Sequence, residues 1–407
     1  MQKNLQEAKN AKNDEFYTQY DYIQREINAY LEFDQDAFRG KTVLLPCNDL
    51  EHSNFTGFFA QNFEYFGLKK LISTSYAKNS NKQFTFQFYA SELEKNSPKY
   101  DPAKTDTNGK IFILDRAANG THRLDIHDLK WDYLQGDGDF RSPEVKALRD
   151  EADIIITNPP FSLFREFLSW IIEADKKFLI IGNINCITYK EVFPLIKDNK
   201  IWLGASGSNR DVVFEVPEDY EVSPSDRAKA EKLGYFGNYT TQRNTCWFTN
   251  LDHGRRHEPL ILMNMADNMK FNKTIVKQGK KYFKYDNYDA IDVPVTQAIP
   301  SDYDGVMGVP VSFLDKYCPE QFEILGLTSG RNEFDKEAWP TKRYENALQH
   351  NSDGTTASGS KANTRATILL EDEPTGVYYT ADNADGPFQI MYARILIRWK
   401  QPPEQRI

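Results

Sequence analysis

The chain has 407 residues, long enough for two domains, and its 59 acidic against 50 basic residues give a formal charge of -9. An acidic total excludes a protein that binds nucleic acid through its overall charge, so any such binding needs a local basic surface. The four cysteines form no CxxC pair, which argues against a disulfide framework or a zinc site and indicates a reducing cytoplasmic environment, and no apolar run reaches the roughly 18 residues of a membrane span.

The first 250 residues alternate short apolar runs with amphipathic stretches, which predicts a doubly wound α/β sheet. The first strand is expected in "KTVLLP" (41–46), and phenylalanines at helical spacing predict a helix over 53–67. "KKLISTSY" (69–76) predicts the next strand, after which 82–90 and 109–117 alternate apolar and polar residues like an inserted antiparallel pair. Further strands are predicted in "EADIIITN", "KKFLIIGN", "KIWLGA" and "TQRNTCWFTN", with a crossover helix in "PFSLFREFLSWIIEA".

The composition changes after about residue 253. Residues 253–285 carry eight lysines and arginines against two acids, the one markedly basic segment of an acidic chain. The stretch 351–365 is rich in Ser, Thr, Gly and Asn and predicts a mobile loop, and "MYARILIRWK" (391–400) predicts a final strand. We therefore expect two domains, 1–255 and 256–407, of which the second is smaller and of α+β type.

An apolar strand that ends in an unusual turn, "DIIITNPPF" (153–161), carries the clearest chemical signal. The carboxyl edge of a parallel sheet is where open α/β proteins bind ligands. There the side-chain oxygen of Asn158 and the carbonyl of Pro159 would accept both hydrogens of an amine, Pro160 would stiffen the turn, and Phe161 would stack on a planar ring. The same residues also suit a rigid strand-to-helix turn with a core phenylalanine, but their position between an apolar strand and a helix favours the ligand site.

The motif "NPPF" resembles the catalytic motif of amino-methyltransferases. Neighbouring segments resemble, in the same order, those of the EcoRI-type adenine-specific DNA methyltransferases, and the resemblance spans nearly the whole chain. It implies a Rossmann-like methyltransferase sheet, a C-terminal target-recognition domain, and methyl transfer from S-adenosyl-L-methionine to N6 of an adenine flipped out of double-stranded DNA. The segments are "KNDEFYTQ" (12–19), "PCNDLEHSNF" (46–55), "GDGDFRS" (136–142) and "YDGVMGVPVSFLDKYCPEQFEILG" (303–326).

The resemblance also implies which residues bind the cofactor. One segment is expected to close over its methionine part, the loop after the first strand to contact it, and an acidic loop to meet its adenine. The candidates are Phe16, Tyr17, Thr18, Pro46, Cys47, Asn48, Asp49, Ser53 and Asn54, with Asp137 or Asp139 for the adenine.

Each cofactor segment also has a plain structural interpretation. Thr18 suits a helix start, the loop 46–55 suits an ordinary turn, and the two aspartates suit a solvated turn, a metal site or an acid–base pair. The loop 46–55 lacks the glycine that most methyltransferases of this fold carry there, so Asn48 and Asp49 are the residues expected to tolerate left-handed geometry.

Basic side chains after residue 254 are expected to contact the DNA. Lysines and aromatic residues alternate over 270–285, which suits phosphate contact, although a solvated charged face has the same pattern. Later loop-like sequence carries basic residues of the kind that read bases. The candidates are Arg255, Arg256, Lys277, Lys280, Lys281, Arg331, Lys342, Arg343, Lys361 and Arg365.

Two other functions fit the same sequence. An RNA adenine methyltransferase is one, because motifs of the NPPF type also serve ribosomal RNA. A non-catalytic nucleic-acid-binding protein on a degenerate methyltransferase fold is the other, because the cofactor loop has no glycine. The leading hypothesis is a cytoplasmic DNA methyltransferase of a restriction–modification or host-protection system, working beside a separate restriction endonuclease and without metal or membrane.

Overall fold

The computed structural model describes residues 17–48, 53–77, 97–119, 130–208, 211–216, 220–329, 339–371, 374 and 376–401. Contacts within the chain divide it into two compact units. The first comprises Met1–Ile184 and Ile201–Gly254, and the second comprises Asn185–Lys200 and Arg255–Ile407.

Strands and helices alternate through the first unit, and short strands dominate the second. The helices are α1 (Tyr20–Phe33), α2 (Asn54–Gln61), α3 (Arg116–Asn119), α4 (Pro143–Glu151), α5 (Phe164–Ile172), α6 (Phe193–Lys197), α7 (Pro224–Lys232), α8 (Met265–Phe271) and α9 (Lys273–Lys277). The strands are β1 (Tyr17–Thr18), β2 (Thr42–Leu45), β3 (Lys70–Thr74), β4 (Lys110–Asp115), β5 (Lys130–Tyr133), β6 (Ile154–Thr157), β7 (Lys177–Asn183), β8 (Trp202–Leu203), β9 (Val212–Glu215), β10 (Tyr239–Gln242), β11 (Thr245–Thr249), β12 (Ile291–Asp292), β13 (Met307–Pro310), β14 (Phe322–Leu327), β15 (Leu348–His350), β16 (Thr356–Ser358), β17 (Thr367–Leu369), β18 (Tyr378–Thr380), β19 (Phe388–Ile390) and β20 (Arg394–Trp399). Short 3-10 helices cover Phe161–Leu163, Ile184–Thr188, Gly254–His257, Thr296–Ala298, Val311–Lys316 and Ser360–Thr364.

An eight-stranded mixed sheet in the order β5-β4-β3-β2-β6-β7-β11-β8 forms the centre of the first unit. Strands β3, β2, β6 and β7 are parallel, while β11 is antiparallel to both β7 and β8, so β8 points the same way as β7. The carboxyl ends of β2, β6, β7 and β8 therefore lie at the same edge. A separate sheet in the order β1-β9-β10 completes this unit.

Strand β4 is part of the main sheet. It pairs antiparallel with β3 on one side and with β5 on the other. The sequence predicts this strand as half of an inserted pair, whose other half, 82–90, lies outside the described residues. Strand β5 has only four residues and a polar character, so the periodicity of the sequence did not predict it.

The phenylalanine-rich helix is shorter than its periodicity predicts. Helix α2 ends at Gln61, after which Asn62 Nδ2 donates to the carbonyl of Phe58 at 2.9 Å. Phe63 and Phe66 lie in the following turn but are buried with Phe58 in the same core. A fully buried Phe stabilises a fold by about 1.5–3 kcal/mol. The phenylalanine pattern therefore continues past the end of the helix because these side chains are buried, and not because the helix continues.

The second unit contains a four-stranded sheet in the order β12-β13-β20-β14 and a five-stranded sheet in the order β16-β15-β18-β19-β17. Strand β20 falls inside the predicted final strand. The prediction of a mobile loop over 351–365 is wrong, because β15 and β16 form a hairpin there and a 3-10 helix follows. Gly354, at φ +80°, and the bond from Asn351 N to Thr355 O at 2.9 Å close the hairpin turn. No helix within the described residues is long and apolar enough to cross a membrane.

Candidate active site

Two turns predicted to carry the chemistry follow neighbouring parallel strands. Pro46, Cys47 and Asn48 follow β2, and Asn158 begins the turn after β6. Strand β6 is fully buried, and parallel strands covered on both faces are made of continuous apolar runs such as "IIIT". Because β2 and β6 are hydrogen-bonded neighbours with the same direction, both turns emerge at the same edge of the sheet.

Buried hydrogen bonds connect these two turns directly. Thr157 Oγ1, in the last residue of β6, donates to the carbonyl of Pro46 at 2.5 Å. Asn48 Nδ2 donates to the same carbonyl at 3.1 Å and to Thr157 Oγ1 at 3.4 Å. Because Thr157 precedes Asn158 in the chain, the frame of Pro46, Asn48 and Thr157 fixes the start of the NPPF turn against the loop after β2. Thr157 is not among the predicted site residues, because in the sequence it has the pattern of an ordinary strand residue.

In the loop after β2, which contains no glycine, a cysteine adopts the left-handed conformation. Cys47 has φ +61°, the left-handed conformation, whereas Asn48 is outside that region and Asp49 lies outside the described residues. Asn48, expected to tolerate this geometry, therefore does not adopt it, and the neighbouring cysteine does. A left-handed non-glycine residue costs about 1–2 kcal/mol, which the surrounding hydrogen bonds offset. Burial, together with the negative charge of Asp139, raises the pKa of the Cys47 thiol to about 12.

Ser53 and Asn54 belong to the same network at the start of α2. Ser53 Oγ donates to Asn48 Oδ1 at 2.8 Å and does not cap the helix, although Ser53 occupies the capping position. Asn54 Nδ2 donates to the carbonyl of Thr18 at 2.8 Å. The segment Tyr17–Thr18, which forms β1, is thereby attached to the loop after β2. Phe16 lies outside the described residues.

The acidic loop follows β5, which runs in the same direction as β3, so the loop emerges at the same edge of the sheet as the two turns. The amide of Ala77 donates to the carbonyl of Asp137 at 2.7 Å. Gly138 has φ +83°, and a Cβ there would lie 2.2 Å from the carbonyl oxygen of Ser75, so this turn requires glycine. The amide of Asn48 donates to the carbonyl of Thr74 at 2.9 Å, so the loop after β2 and the acidic loop are both bonded to the chain at the end of β3.

The two aspartates of this loop differ in their partners. The carboxylate of Asp139 accepts bonds from Arg141 Nε at 2.9 Å and Nη2 at 2.6 Å, and the guanidinium lowers the pKa of Asp139. Arg141 Nη1 also donates to Glu166 of α5 at 3.2 Å. Asp137 Oδ1 accepts the amide of Asp139 at 3.0 Å. The loop is thus an ordered acidic turn, and among the described residues no group of three or more metal-ligating side chains occurs.

The NPPF turn is only partly buried. Pro159 is buried, while Asn158, Pro160 and Phe161 are half-buried. Pro160 has φ -52°, and its carbonyl accepts the amide of Leu163 at 2.9 Å, which begins the 3-10 helix. Phe161 packs against the apolar core of the first unit and keeps part of its ring exposed.

Gly182 of β7 fixes the helix that follows this turn. A Cβ at this position would lie 2.3 Å from the ring of Phe164, the first residue of α5. Phe164 also packs on Phe248 of β11, with ring centroids 5.0 Å apart. The small residue therefore allows the start of α5, and with it the NPPF turn, to approach the sheet closely. Nothing in the sequence pattern singled out Gly182.

The predicted DNA-binding residues divide into buried, paired and exposed groups. Arg256 is only 8% exposed and donates to Asn199, which argues against contact with phosphate. Lys342 pairs with Asp286 at 3.0 Å, and Lys281 pairs with Glu371 at 2.7 Å. Arg365 is half-buried, and Arg331 lies outside the described residues. Besides Lys281, the exposed candidates are Arg255, Lys277, Lys280, Arg343 and Lys361.

Known proteins resemble this chain over most of its length. The sequence matches the family model "Adenine-specific methyltransferase EcoRI" over residues 4–400. It is 44% identical to the type II methyltransferase M.EcoRI of Escherichia coli over 332 residues, which cover 81% of this chain and 91% of that protein. Identity to M.MgeORF184P of Mycoplasma genitalium is 33% (78% of this chain, 84% of that protein), and to M.MpnI of Mycoplasma pneumoniae 32% (78% and 83%). No solved structure gives a significant match.

Proposed function

The chain belongs to the EcoRI family of adenine-specific methyltransferases, and we propose that it methylates N6 of an adenine flipped out of double-stranded DNA, with S-adenosyl-L-methionine as methyl donor. The observation that carries the proposal is the frame of Pro46, Asn48 and Thr157, because it holds the NPPF turn beside the predicted cofactor loop. The relatives are named type II methyltransferases, which supports a role in restriction–modification beside a separate nuclease.

In this proposal the NPPF turn holds and orients the amine. The side-chain oxygen of Asn158 and the carbonyl of Pro159 each accept one N–H, which leaves the nitrogen lone pair directed out of the ring plane. The fixed φ of Pro160 limits movement of both acceptors. The exposed part of Phe161 stacks on the adenine, a contact worth about 1–3 kcal/mol. Formation of the new N–C bond would break the bond between the methyl carbon and the positively charged sulfur, which would leave as a neutral thioether, and the amine would release one proton to water.

The residues of the site fit the chemistry of the proposed cofactor. S-adenosyl-L-methionine supplies an electrophilic methyl group on a positively charged sulfur, and it presents an ammonium, an adenine amine and ribose hydroxyls that need acceptors. Asp137 and Asp139 supply carboxylates at this edge. Thr18 Oγ1 is buried and has no hydrogen-bond partner among the residues that the structure describes, so a bound polar group would satisfy it. We propose cofactor contacts for Phe16, Tyr17, Thr18, Pro46, Cys47, Asn48, Asp49, Ser53, Asn54, Asp137 and Asp139.

We propose that residues 256–407 form a target-recognition domain that grips the DNA through exposed cations. Extrusion of a base costs a few kcal/mol, which contacts to the rest of the duplex must offset. Exposed lysine and arginine side chains supply such contacts by neutralising phosphates. The residues proposed for this role are Arg255, Lys277, Lys280, Arg343 and Lys361, with Lys281, Arg331 and Arg365 as further candidates, whereas Arg256 and Lys342 serve the protein's own structure first.

Methyl transfer with a labelled donor tests the proposal. We expect label in adenine-containing duplex DNA with the unmodified protein, and a loss of at least about 100-fold with Asn158→Ala, because one of two amine acceptors is removed. Asn62→Ala is the matched control, since Asn62 is another half-buried asparagine, whose side-chain amide donates to the carbonyl of Phe58 at the end of α2. Label that enters structured RNA and not DNA would contradict the substrate, and equal labelling by Asn158→Ala would contradict the role of Asn158. Absence of donor binding in calorimetry would contradict the activity.

A further inference from the structure

Glu26 is a fully buried carboxylate in the middle of α1 and is not among the residues assigned so far. Its exposure is 0%, and its partners are neutral donors. Glu26 Oε1 accepts the amide of Ala205 at 2.7 Å and the hydroxyl of Tyr30 at 3.0 Å, while Oε2 accepts the amide of Ser206 at 2.8 Å. Burial of a carboxylate destabilises a fold unless hydrogen-bond donors surround it. Here two consecutive amides of one loop supply such donors.

The loop it holds, Gly204–Ser208, is shaped around this carboxylate. A Cβ at position 204 would lie 2.2 Å from Glu26 Oε1 and 2.5 Å from Trp247 Cβ, so only glycine lets the carboxylate reach the amides. Strand β8, which precedes the loop, has its own contact: His253 Nε2 lies 3.0 Å from the carbonyl oxygen of Leu203. The ring of His253 in turn packs edge-on against Tyr30.

The loop follows β8 at the edge of the sheet where the NPPF turn and the loop after β2 emerge. Its other end leads into β9, which pairs with β1 so that Thr18 lies opposite Phe214. Both ends of the connection from β8 to β9 are therefore attached to one short N-terminal segment: Glu26 holds the first end, and Thr18 holds the second. The carbonyl of Thr18 also accepts a bond from Asn54 Nδ2, so Thr18 is attached both to β9 and to the start of α2.

We propose that Glu26 is a positioning residue for the cofactor segment: by holding the loop Gly204–Ser208 it fixes β9, and through β9 it fixes Tyr17–Thr18 against the loop after β2. The inference rests on the proposed function, since it requires that Tyr17–Thr18 contact S-adenosyl-L-methionine. A merely structural carboxylate would stabilise the core without a specific effect on the cofactor.

The test compares Glu26→Gln with Tyr30→Phe in the full chain. Glu26→Gln turns one acceptor into a donor that faces an amide, so it releases the loop, whereas Tyr30→Phe removes a bond to the same carboxylate and leaves both loop amides bound. We expect the Kd of S-adenosyl-L-methionine to rise at least about tenfold in Glu26→Gln and to stay within about twofold in Tyr30→Phe. Calorimetry gives the affinity, and thermal unfolding gives the stability of each variant.

Equal cofactor affinity in the two variants would overturn the inference, because it would reduce Glu26 to a core residue. If Glu26→Gln does not fold, hydrogen exchange of the unmodified protein decides: cofactor binding should slow exchange at the amides of Ala205 and Ser206 by linkage, and unchanged exchange there would overturn the inference. An unmodified protein that binds no cofactor at all would contradict the proposed function itself.

Discussion

Replacing Thr157 by valine tests the frame that joins the two turns of the site. Valine keeps the branched shape of threonine and removes the hydroxyl that donates to Pro46 O at 2.5 Å and accepts from Asn48 Nδ2 at 3.4 Å. The carbonyl of Pro46 would keep only its bond from Asn48, at 3.1 Å. The perturbation is therefore confined to the connection between the strand ends.

The expected magnitude follows from the burial of this hydroxyl. A lost hydrogen bond costs about 0.5–1.5 kcal/mol, and a buried polar group left without its partner costs about 1–3 kcal/mol. We expect Thr157→Val to lower the free energy of unfolding by about 1–3 kcal/mol. If the frame also positions Asn158, a loss of that size in the transition state slows methyl transfer by about 5- to 140-fold, since 1.4 kcal/mol corresponds to a factor of ten.

Thr157→Ser is the matched control, because it keeps the hydroxyl and removes a buried methyl group at a cost of about 1 kcal/mol. Urea unfolding measures the stability of both variants, and single-turnover transfer of a labelled methyl group measures the chemical step. The frame predicts that both variants lose stability and that only Thr157→Val loses rate. A Thr157→Val variant that is destabilised yet methylates at the rate of the unmodified protein would refute the positioning role.

Two further changes test the DNA surface and the acidic loop. Alanine at both Lys277 and Lys280 should weaken DNA binding for every sequence and reduce the slope of log affinity against log salt by about one per lost phosphate contact. Lys342→Ala should instead lower thermal stability. Anisotropy titrations measure the DNA affinity of each variant, and thermal unfolding measures its stability. Arg141→Met should release Asp139, whose pKa Arg141 holds below its ordinary value of 3.8. A carboxylate with a lowered pKa stabilises the fold above the ordinary value, and this contribution is lost as the pH falls through the lowered value. Urea unfolding should therefore show a stability gap between Arg141→Met and the unmodified protein at neutral pH that closes in acid, and a gap independent of pH would contradict the pairing.

The elements that the sequence predicted are those whose pattern arises from burial alone. Strands β2, β3, β6 and β7 are continuous apolar runs, and such runs have few alternatives once helices cover both faces of a sheet. The NPPF turn was found because its chemistry is concentrated in four consecutive residues. Its neighbours Tyr17–Thr18 and Pro46–Asn48 were found through the family resemblance, and the structure brings them together by hydrogen bonds.

The features that were missed depend on contacts between distant parts of the chain. The left-handed position of Cys47 is set by the surrounding loop, whereas intrinsic preference favoured Asn48. The buried position of Glu26 contradicts the usual fate of a charged residue on an amphipathic helix, and it depends on amides 179 and 180 residues away. The amides of the Gly204–Ser208 loop are not visible in any local pattern.

The most direct measurement of the central claim is the chemical identity and position of the modified base. DNA from cells that express the chain, and from cells that express Asn158→Ala, is sequenced by a single-molecule method that detects modified bases. The proposed function predicts N6-methyladenine at one recurring sequence in the first sample and its loss in the second. Modified cytosine at that sequence, or the same adenine modification in both samples, would contradict the claim.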